Sequence, residues 1–374
     1  MTDIIWAGII SIIFLLFFVV AEILRKKGIK PEATRKFVHF SGAFVTIFFP
    51  FILNSHWTVL VLAAGFAFIM LLTKKLELLQ SVHGVMRKSD GAIYHPVAIY
   101  TCFLYSQILN QPMFYVIAIL ILAVSDALAA LVGKSYGANE YLVEVGTRKT
   151  IEGSVTFFLT SFLIVHLILL LTTQTGRVES VLIALLISII VTVFEGVSLK
   201  GADNLFIPLA TMFILSKNIT PTVNGISFQI FVLIGFLVGY LILMLPYKRI
   251  GFSGVLLLGL INYTIWALLG NIYAIILFGF SFICAKTDLI LNYDCEESDA
   301  YRVRPVFYIM TVPVVCAFLG NFIGENIIFP FVVSIICESV IIKTRLFKGD
   351  LNKGLWLTSI VSLIMLGVSY VFIG

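Results

Sequence analysis

Three carboxylates stand out in this sequence because each lies inside or at the end of a strongly apolar segment. Asp126 follows the run 121–125, Glu195 lies near the end of another run, and Asp203 opens the next one with Asn204 beside it. A carboxylate inside a membrane helix costs at least ~2.5 kcal/mol on insertion scales, so each requires a partner or a function. Carboxylate oxygens suit Mg²⁺, which completes its shell with water and substrate phosphates. The set predicts a magnesium site for phosphate chemistry.

Two lysines and several glycines lie close to these carboxylates. Lys134 follows Gly133 on the helix face of Asp126, and Lys149 precedes a predicted helix start. Amides at a helix N-terminus bind anions, and a nearby lysine adds charge. A Walker A loop is excluded because the position that needs its first glycine holds Leu128 and a membrane helix precedes it. The candidate phosphate-binding residues are Gly133, Lys134, Gly137, Lys149, Thr150, Glu152 and Gly153.

A basic and histidine-containing segment precedes the second predicted helix. Arg35 and His39 lie one helical turn apart there. A histidine with a pKa near 6.5 can accept a proton at neutral pH, so His39 is a candidate base, with Glu195 as the alternative. The other histidines, including His95, receive no role.

Each of these features also has a purely structural interpretation. Asp126 could be a hydrogen-bonded residue on a small-residue packing face, and Asp203 could cap a helix. Lys149 is also placed where basic residues anchor a helix end, and His39 where an interfacial histidine commonly lies. The residues alone leave both interpretations open.

The composition defines the elements that must position these side chains. Of the 374 residues 60% are hydrophobic and only 12% are charged, and the mean hydropathy is +1.08. Recurrent apolar runs are each long enough to cross a ~30 Å hydrocarbon layer as a helix. The sequence therefore predicts an all-α, polytopic integral membrane helical bundle with about 14 transmembrane helices. They are predicted near 4–24, 37–53, 57–73, 93–109, 112–132, 153–172, 180–199, 204–216, 226–245, 252–268, 271–285, 305–320, 327–342 and 355–373.

The basic residues predict the orientation of this bundle. With strict alternation of the helices, only Arg177 and Lys217 of the 25 basic residues fall on the side opposite the others. The positive-inside rule then places both termini outside and the carboxylate clusters on the cytoplasmic face. The net charge of +5 is accounted for by this topology, so no nucleic-acid partner is predicted.

Functional residue types are concentrated in the first part of the chain. We therefore predict a catalytic membrane domain over residues 1–245 and a C-terminal membrane-helix region of unknown role over 246–374. The residues do not indicate an oligomeric state.

Five motifs, in order, resemble the polyprenol kinase family, which includes dolichol, phytol and farnesol kinases. They are Arg35-Lys36-x-x-His39, Ser125-Asp126-Ala127-x-Ala129-x-x-x-Gly133-x-x-x-Gly137, Lys149-Thr150-x-Glu152-Gly153-Ser154, Glu195, and Asp203-Asn204-x-x-x-Pro208. The resemblance covers roughly residues 30–245. It implies transfer of the γ-phosphate of CTP from the cytosol to the hydroxyl of an isoprenoid alcohol in the bilayer, with Mg²⁺. The preference for CTP over ATP comes from the resemblance alone.

The segments Gly251–Gly254 and Lys286–Phe307 faintly resemble the membrane family that contains phytyl-phosphate kinase. That resemblance implies a second phosphorylation, but no acidic cluster comparable to the first accompanies it. A structural second half is therefore favoured.

Two alternative functions remain for comparison. A phosphatidate cytidylyltransferase also uses CTP at a membrane, but the sequence lacks a clustered Pro-Gly-His-Gly-Gly near a Lys-Asp pair. A secondary transporter also buries carboxylates, but typically at the bilayer midplane, whereas these lie at the cytoplasmic rim.

Overall fold

The computed structural model describes residues 2–84, 91–144, 147–198, 201–244 and 252–290, together with residue 314. Nearly all of the described elements are helices. In chain order they are α1 (Thr2–Lys26), α2 (Pro31–Thr46), α3 (Phe49–Ile52), α4 (His56–Lys75), α5 (Gln80–His83), α6 (Gly91–Leu109), α7 (Pro112–Leu120), a π-helical turn (Ile121–Ser125), α8 (Asp126–Tyr136), β1 (Glu140–Glu144), β2 (Thr147–Thr150), α9 (Ile151–Thr172), α10 (Arg177–Val197), α11 (Asp203–Lys217), α12 (Val223–Met244), α13 (Phe252–Leu269) and α14 (Asn271–Ile290).

Seven helices within the described residues are long and apolar enough to span a membrane, with α7, the π-turn and α8 forming one continuous segment. They are Thr2–Lys26, His56–Lys75, Pro112–Tyr136, Ile151–Thr172, Arg177–Val197, Val223–Met244 and Phe252–Leu269. Large apolar side chains on them are exposed, as for Ile4 and Leu171, which is the arrangement expected of a surface in contact with lipid. The chain is an integral membrane protein of α-helical class. The helices predicted at 305–320, 327–342 and 355–373 lie outside the described residues.

The helix predicted at 37–53 is divided in two. Helix α2 ends at Thr46 and α3 begins at Phe49. The cause is Pro50, which has no amide hydrogen to donate to the carbonyl of Thr46 four residues earlier. The hydroxyl of Tyr115 donates to that carbonyl at 3.0 Å instead. A buried tyrosine thus satisfies the group that the proline leaves free.

A short β-hairpin interrupts the helical fold, and the sequence analysis did not predict it. Strands β1 and β2 form a two-stranded sheet between α8 and α9. The guanidinium of Arg148 pairs with Glu140 at 3.0 Å, and its side chain is 67% exposed. The neighbouring Lys149 side chain is only 17% exposed. The period of two in a strand accounts for this difference, because successive side chains point to opposite faces.

The chain forms two compact units. The first comprises residues 1–141 and 148–229, and the second residues 142–147 and 230–374. In the first unit α9 packs against α8 and α10, while α11 packs against α6, α7 and α10. In the second, α13 packs against α14, and Asn262 donates to the buried hydroxyl of Tyr240 at 3.1 Å. The predicted division at residue 245 stays a prediction.

Candidate active site

A cavity of about 370 Å³ lies in the first unit, where several helix ends meet the hairpin. The starts of α2, α9 and α11 and the ends of α8 and α10 surround it. Eleven of the thirteen predicted site residues line it: Arg35, His39, Asp126, Gly133, Lys134, Lys149, Thr150, Gly153, Glu195, Asp203 and Asn204. Gly137 and Glu152 are not among its lining residues. Segments far apart in sequence thus meet at one place.

The three carboxylates form the centre of this cavity. One oxygen from each of Asp126, Glu195 and Asp203 lies within 4.8 Å of the other two. Asp203 accepts from the amide of Asn204 at 3.1 Å. The second oxygen of Glu195, Oε2, is buried and has no hydrogen-bond partner among the described residues. Like charges held this close repel one another, so the cluster is suited to bind a cation.

The π-helical turn immediately before Asp126 places this residue. Residues Ile121–Ser125 form the turn, which packs against α2, α9 and α11. The hydroxyl of Ser161 in α9 donates to that of Ser125 at 3.1 Å, and both are buried. Single π-turns within α-helices occur frequently at functional sites. The turn and its hydrogen bond fix the start of α8 and with it the Asp126 carboxylate.

Lys149 is held against the end of α10. Its ammonium lies 2.6 Å from Glu195 Oε1 and also donates to the backbone carbonyl of Glu195 and to the Ser198 hydroxyl. The two side chains of the ion pair are 17% and 12% exposed. Burial alone would lower the pKa of Lys149, but the charges of Glu195 and Asp203 outweigh burial and raise that pKa. The lysine therefore stays charged and balances part of the acidic cluster.

Two amides at the N-terminus of α9, which is predicted to bind phosphate, donate to protein acceptors. The Ile151 amide donates to the carbonyl of Asn139 at 2.9 Å, and the Gly153 amide donates to the Thr150 hydroxyl at 3.2 Å. The Glu152 carboxylate accepts from the Asn139 side chain at 2.9 Å. Glu152 thus fastens the hairpin to α9 at the protein surface, and phosphate groups in the cavity would meet side chains.

The glycines of the small-residue face let α8 and α9 approach each other closely. A Cβ added to Gly133 would lie 2.6 Å from Thr150 Oγ1, and one added to Gly153 would lie 3.1 Å from the Ala129 carbonyl. A Cβ at Gly137 would meet Thr150 Cγ2 at 2.5 Å. Gly133 and Gly153 therefore shape the cavity by setting the distance between the helices that form its wall.

Acidic and basic side chains are balanced around the cavity. Five of each line it: Glu32, Asp126, Glu140, Glu195 and Asp203, with Arg35, Lys36, Lys134, Arg148 and Lys149. Three ion pairs join Arg35 to Glu32, Arg148 to Glu140 and Lys149 to Glu195. Among the described residues, Asp126, Asp203, Lys36 and Lys134 have no ion-pair partner within bonding distance. These four charged groups are therefore available to ligands of opposite charge.

The wall formed by α2 carries groups of a different kind. Arg35 Nε and His39 Nε2 are both buried and have no hydrogen-bond partner among the described residues. The His39 ring contacts that of His95 in α6, with the ring centroids 4.6 Å apart. The sequence analysis gave His95 no role, and only the tertiary fold shows that it contacts the α2 motif. It also left Lys36 out of the candidate set, although its place beside Arg35 was a usable signal.

The carboxylate cluster fits Mg²⁺. Oxygens bound to one Mg²⁺ at 2.0–2.1 Å lie at most ~4.2 Å apart. The three carboxylate oxygens lie within 4.8 Å of one another, so they must move closer together to bind one ion. Asn204 also lines the cavity and carries a further side-chain oxygen. The unpartnered Oε2 of Glu195 is a ready ligand atom.

The helices are of membrane-spanning type, and they gather carboxylates and lysines at one cavity. These two features together indicate the class of phosphate-transferring membrane enzymes. The model of the cytidylyltransferase family matches residues 2–197. The chain is also 33% identical over 195 residues to a phytol kinase from Synechocystis sp. (strain ATCC 27184 / PCC 6803 / Kazusa), an alignment that covers 52% of this chain and 83% of that protein. No solved structure was found to match the chain significantly.

The chain therefore belongs to the cytidylyltransferase family and, within it, to the polyprenol and phytol kinase group. It is a phosphotransferase of that group. Asp203 lies just beyond the region that the family model matches, so its place in the site rests on the structure.

Proposed function

We propose that this protein transfers the γ-phosphate of CTP to the hydroxyl of an isoprenoid alcohol of the phytol, farnesol, geranylgeraniol or dolichol type, giving the lipid monophosphate. The observation that carries the proposal is the cavity in which Asp126, Glu195 and Asp203 approach within 4.8 Å of one another beside Lys149. The 33% identity of this chain to a phytol kinase supports an isoprenoid alcohol as the acceptor.

The acidic side of the cavity would hold the metal and the triphosphate. Asp126, Glu195 and Asp203, with Asn204, would bind Mg²⁺, which when bound neutralises and orients phosphate oxygens. Lys36 and Lys134 line the cavity without ion-pair partners among the described residues, so they are available to the phosphates. Lys149 holds Glu195 in place and contributes positive charge nearby. Phosphoryl transfer depends mostly on such positioning and charge.

The α2 side of the cavity would receive the acceptor. An isoprenoid tail stays in lipid, so the alcohol should enter between helices and place its hydroxyl at the cavity. His39 lines the cavity with a buried, unpartnered Nε2, and it is positioned to accept the hydroxyl proton as phosphate transfers. Glu195 is the alternative base.

The proposed topology has 14 crossings, both termini outside and the cavity on the cytoplasmic side, with residues 1–245 forming the catalytic domain. The clustering of five basic side chains at the cavity supports this orientation, because basic residues concentrate on the cytoplasmic side. Cysteines placed singly at Ala138 and Thr175 should react from opposite sides of sealed vesicles. Reaction of both cysteines from the outside would contradict this topology.

The reaction itself can be tested with purified protein, phytol micelles, Mg²⁺ and CTP labelled at the γ or the α phosphate. We expect the γ label, and not the α label, to enter the lipid fraction. We further expect ATP to support a lower rate than CTP, and EDTA to abolish transfer. Absence of γ label from the lipid with every alcohol of the class would overturn the proposal.

The description of the matched family favours one alternative, transfer of a cytidylyl group. That reaction would attach CMP to a lipid phosphate and release pyrophosphate. The same paired labelling separates the two, because only cytidylyl transfer moves the α label into lipid. The appearance of α label with phosphatidate as the acceptor would replace the kinase proposal.

A further inference from the structure

His95 is a partly buried histidine beside the cavity residue His39, and nothing in the proposed reaction assigns it a role. It belongs to α6, and its ring contacts that of His39 with centroids 4.6 Å apart and planes inclined by 54°. His39 lines the cavity, whereas His95 is not among the lining residues. His95 is therefore adjacent to the reaction space without reaching it.

The two rings differ in their surroundings. His39 lines the cavity together with Asp126 and Asp203. His95 contacts the His39 ring and is not among the lining residues. An influence of His95 on the cavity would therefore pass through His39.

Hydrogen bonds do not explain how the His39 ring is oriented. His39 Nε2 and His95 Nδ1 are both buried without a hydrogen-bond partner among the described residues. A ring that is not anchored through this nitrogen can rotate about its side-chain bonds unless packing prevents it. The contact with the His95 ring supplies such packing, and ring pairs at this separation are attractive.

We propose that His95 is a positioning residue that holds the His39 imidazole towards the acceptor hydroxyl through ring contact. The inference rests on the proposed function, in which His39 serves the acceptor. A reactive group must be kept within a narrow range of angles by its neighbours, and small misplacements reduce turnover strongly. The aromatic ring of His95, and not its nitrogens, is the required feature.

The test uses the full chain with phytol and CTP and compares His95→Ala with His95→Phe. The alanine variant removes the ring contact, and the phenylalanine variant keeps a ring while removing both nitrogens. We expect His95→Ala to lower kcat about tenfold, with KM for CTP unchanged within twofold, and His95→Phe to restore most of the activity. His166→Phe is the matched control, because His166 also contacts an aromatic ring, that of Phe162, but does not line the cavity.

A double-mutant cycle separates positioning from general structural support. In a His39→Ala background, His95→Ala should cause no further loss of kcat, because its effect passes through His39. The inference is overturned if His95→Ala is fully active, if His95→Phe is as defective as His95→Ala, or if His95→Ala reduces the activity of the His39→Ala variant by the same factor. Thermal unfolding of each variant checks that it is folded.

The cycle also distinguishes failure of this inference from failure of the proposed function. If His39→Ala is defective and His95→Ala is harmless, only the inference fails. If His39→Ala is as active as the unaltered protein, the role of His39 fails and the inference falls with it.

Discussion

Two aspartates in membrane-length helices have opposite surroundings. Asp3, near the start of α1, accepts hydrogen bonds from the Ser55 amide at 2.9 Å and from the amide and side chain of Asn54 at 3.2 and 3.3 Å. These bonds tie α1 to the start of α4. Among the described residues, Asp126 has no such set of donors, and it shares its site with two other carboxylates. Hydrogen bonds thus occupy the Asp3 carboxylate, whereas the Asp126 carboxylate is left available.

The comparison extends to other groups of the first unit. Away from the cavity, the Tyr115 hydroxyl and the freed Thr46 carbonyl satisfy each other. At the cavity, one buried atom each of Arg35, His39 and Glu195 has no partner among the described residues. Ser81, His95 and Thr192, which do not line the cavity, each have one such atom as well. Buried polar groups in proteins are normally hydrogen-bonded, and each exception requires an explanation. The cavity groups are explained if substrate and metal complete their bonding.

The strongest test of this contrast removes the negative charge from each of the two aspartates in turn. Asp126→Asn should lower kcat about 1,000-fold, because roughly 4 kcal/mol of charge stabilisation is lost. Asp3→Asn, the matched control, should keep kcat within threefold and lower only the unfolding temperature. Steady-state rates with labelled CTP measure both. Comparable activity losses in the two variants would remove the distinction between them.

The next effect concerns stability and the buried ion pair. Lys149→Met should destabilise the protein by about 3 kcal/mol, because it leaves the Glu195 carboxyl group without its partner in a largely buried site. Adding Glu195→Gln should recover much of that stability without restoring turnover. Thermal unfolding in one detergent measures the series.

The control for this series is the Arg25–Glu22 pair, whose side chains are 33% and 27% exposed. Arg25→Met should cost clearly less stability than Lys149→Met, since solvent screens the pair. Equal losses from Lys149→Met and Arg25→Met would show that the cavity pair is not special.

The smallest expected effect is at the contact between α8 and α9. Gly133→Ala should cost about 1–3 kcal/mol, because its Cβ would meet Thr150 Oγ1 at 2.6 Å. Gly65→Ala in α4 is the control, since nothing lies within 4 Å of the added Cβ, and it should be neutral or slightly stabilising. If the Gly133→Ala variant is as stable and active as the control, Gly133 is not needed to shape the cavity wall.

The sequence predicted the described membrane helices well, because an apolar run of about 20 residues has few other ways to satisfy its backbone in a bilayer. It also identified the three carboxylates as candidate site residues, since the free-energy cost of a carboxylate in an apolar segment makes each one conspicuous. The hairpin at 140–150 was missed because its short strands carry a mixture of polar and apolar residues with no clear alternation.

Features that depend on tertiary contacts could not be predicted. The sequence does not reveal the π-turn before Asp126, because the apolar run 112–125 has the pattern of an ordinary membrane helix. The pairing of His39 with His95 requires α2 and α6 to be adjacent, and the capping of the Ile151 amide requires Asn139 to lie next to the start of α9. Protein groups use two amides of the predicted anion site at that helix start, which stays a prediction.

The most direct test of the central claim is divalent-cation binding by the purified protein in detergent, followed by the Mn²⁺ signal in electron paramagnetic resonance. The account predicts one saturable site in the unaltered protein and in Asp3→Asn, displaced by Mg²⁺ and greatly weakened in Asp126→Asn. Binding by Asp126→Asn equal to that of the unaltered protein would contradict the claim that the carboxylates around this cavity hold the metal.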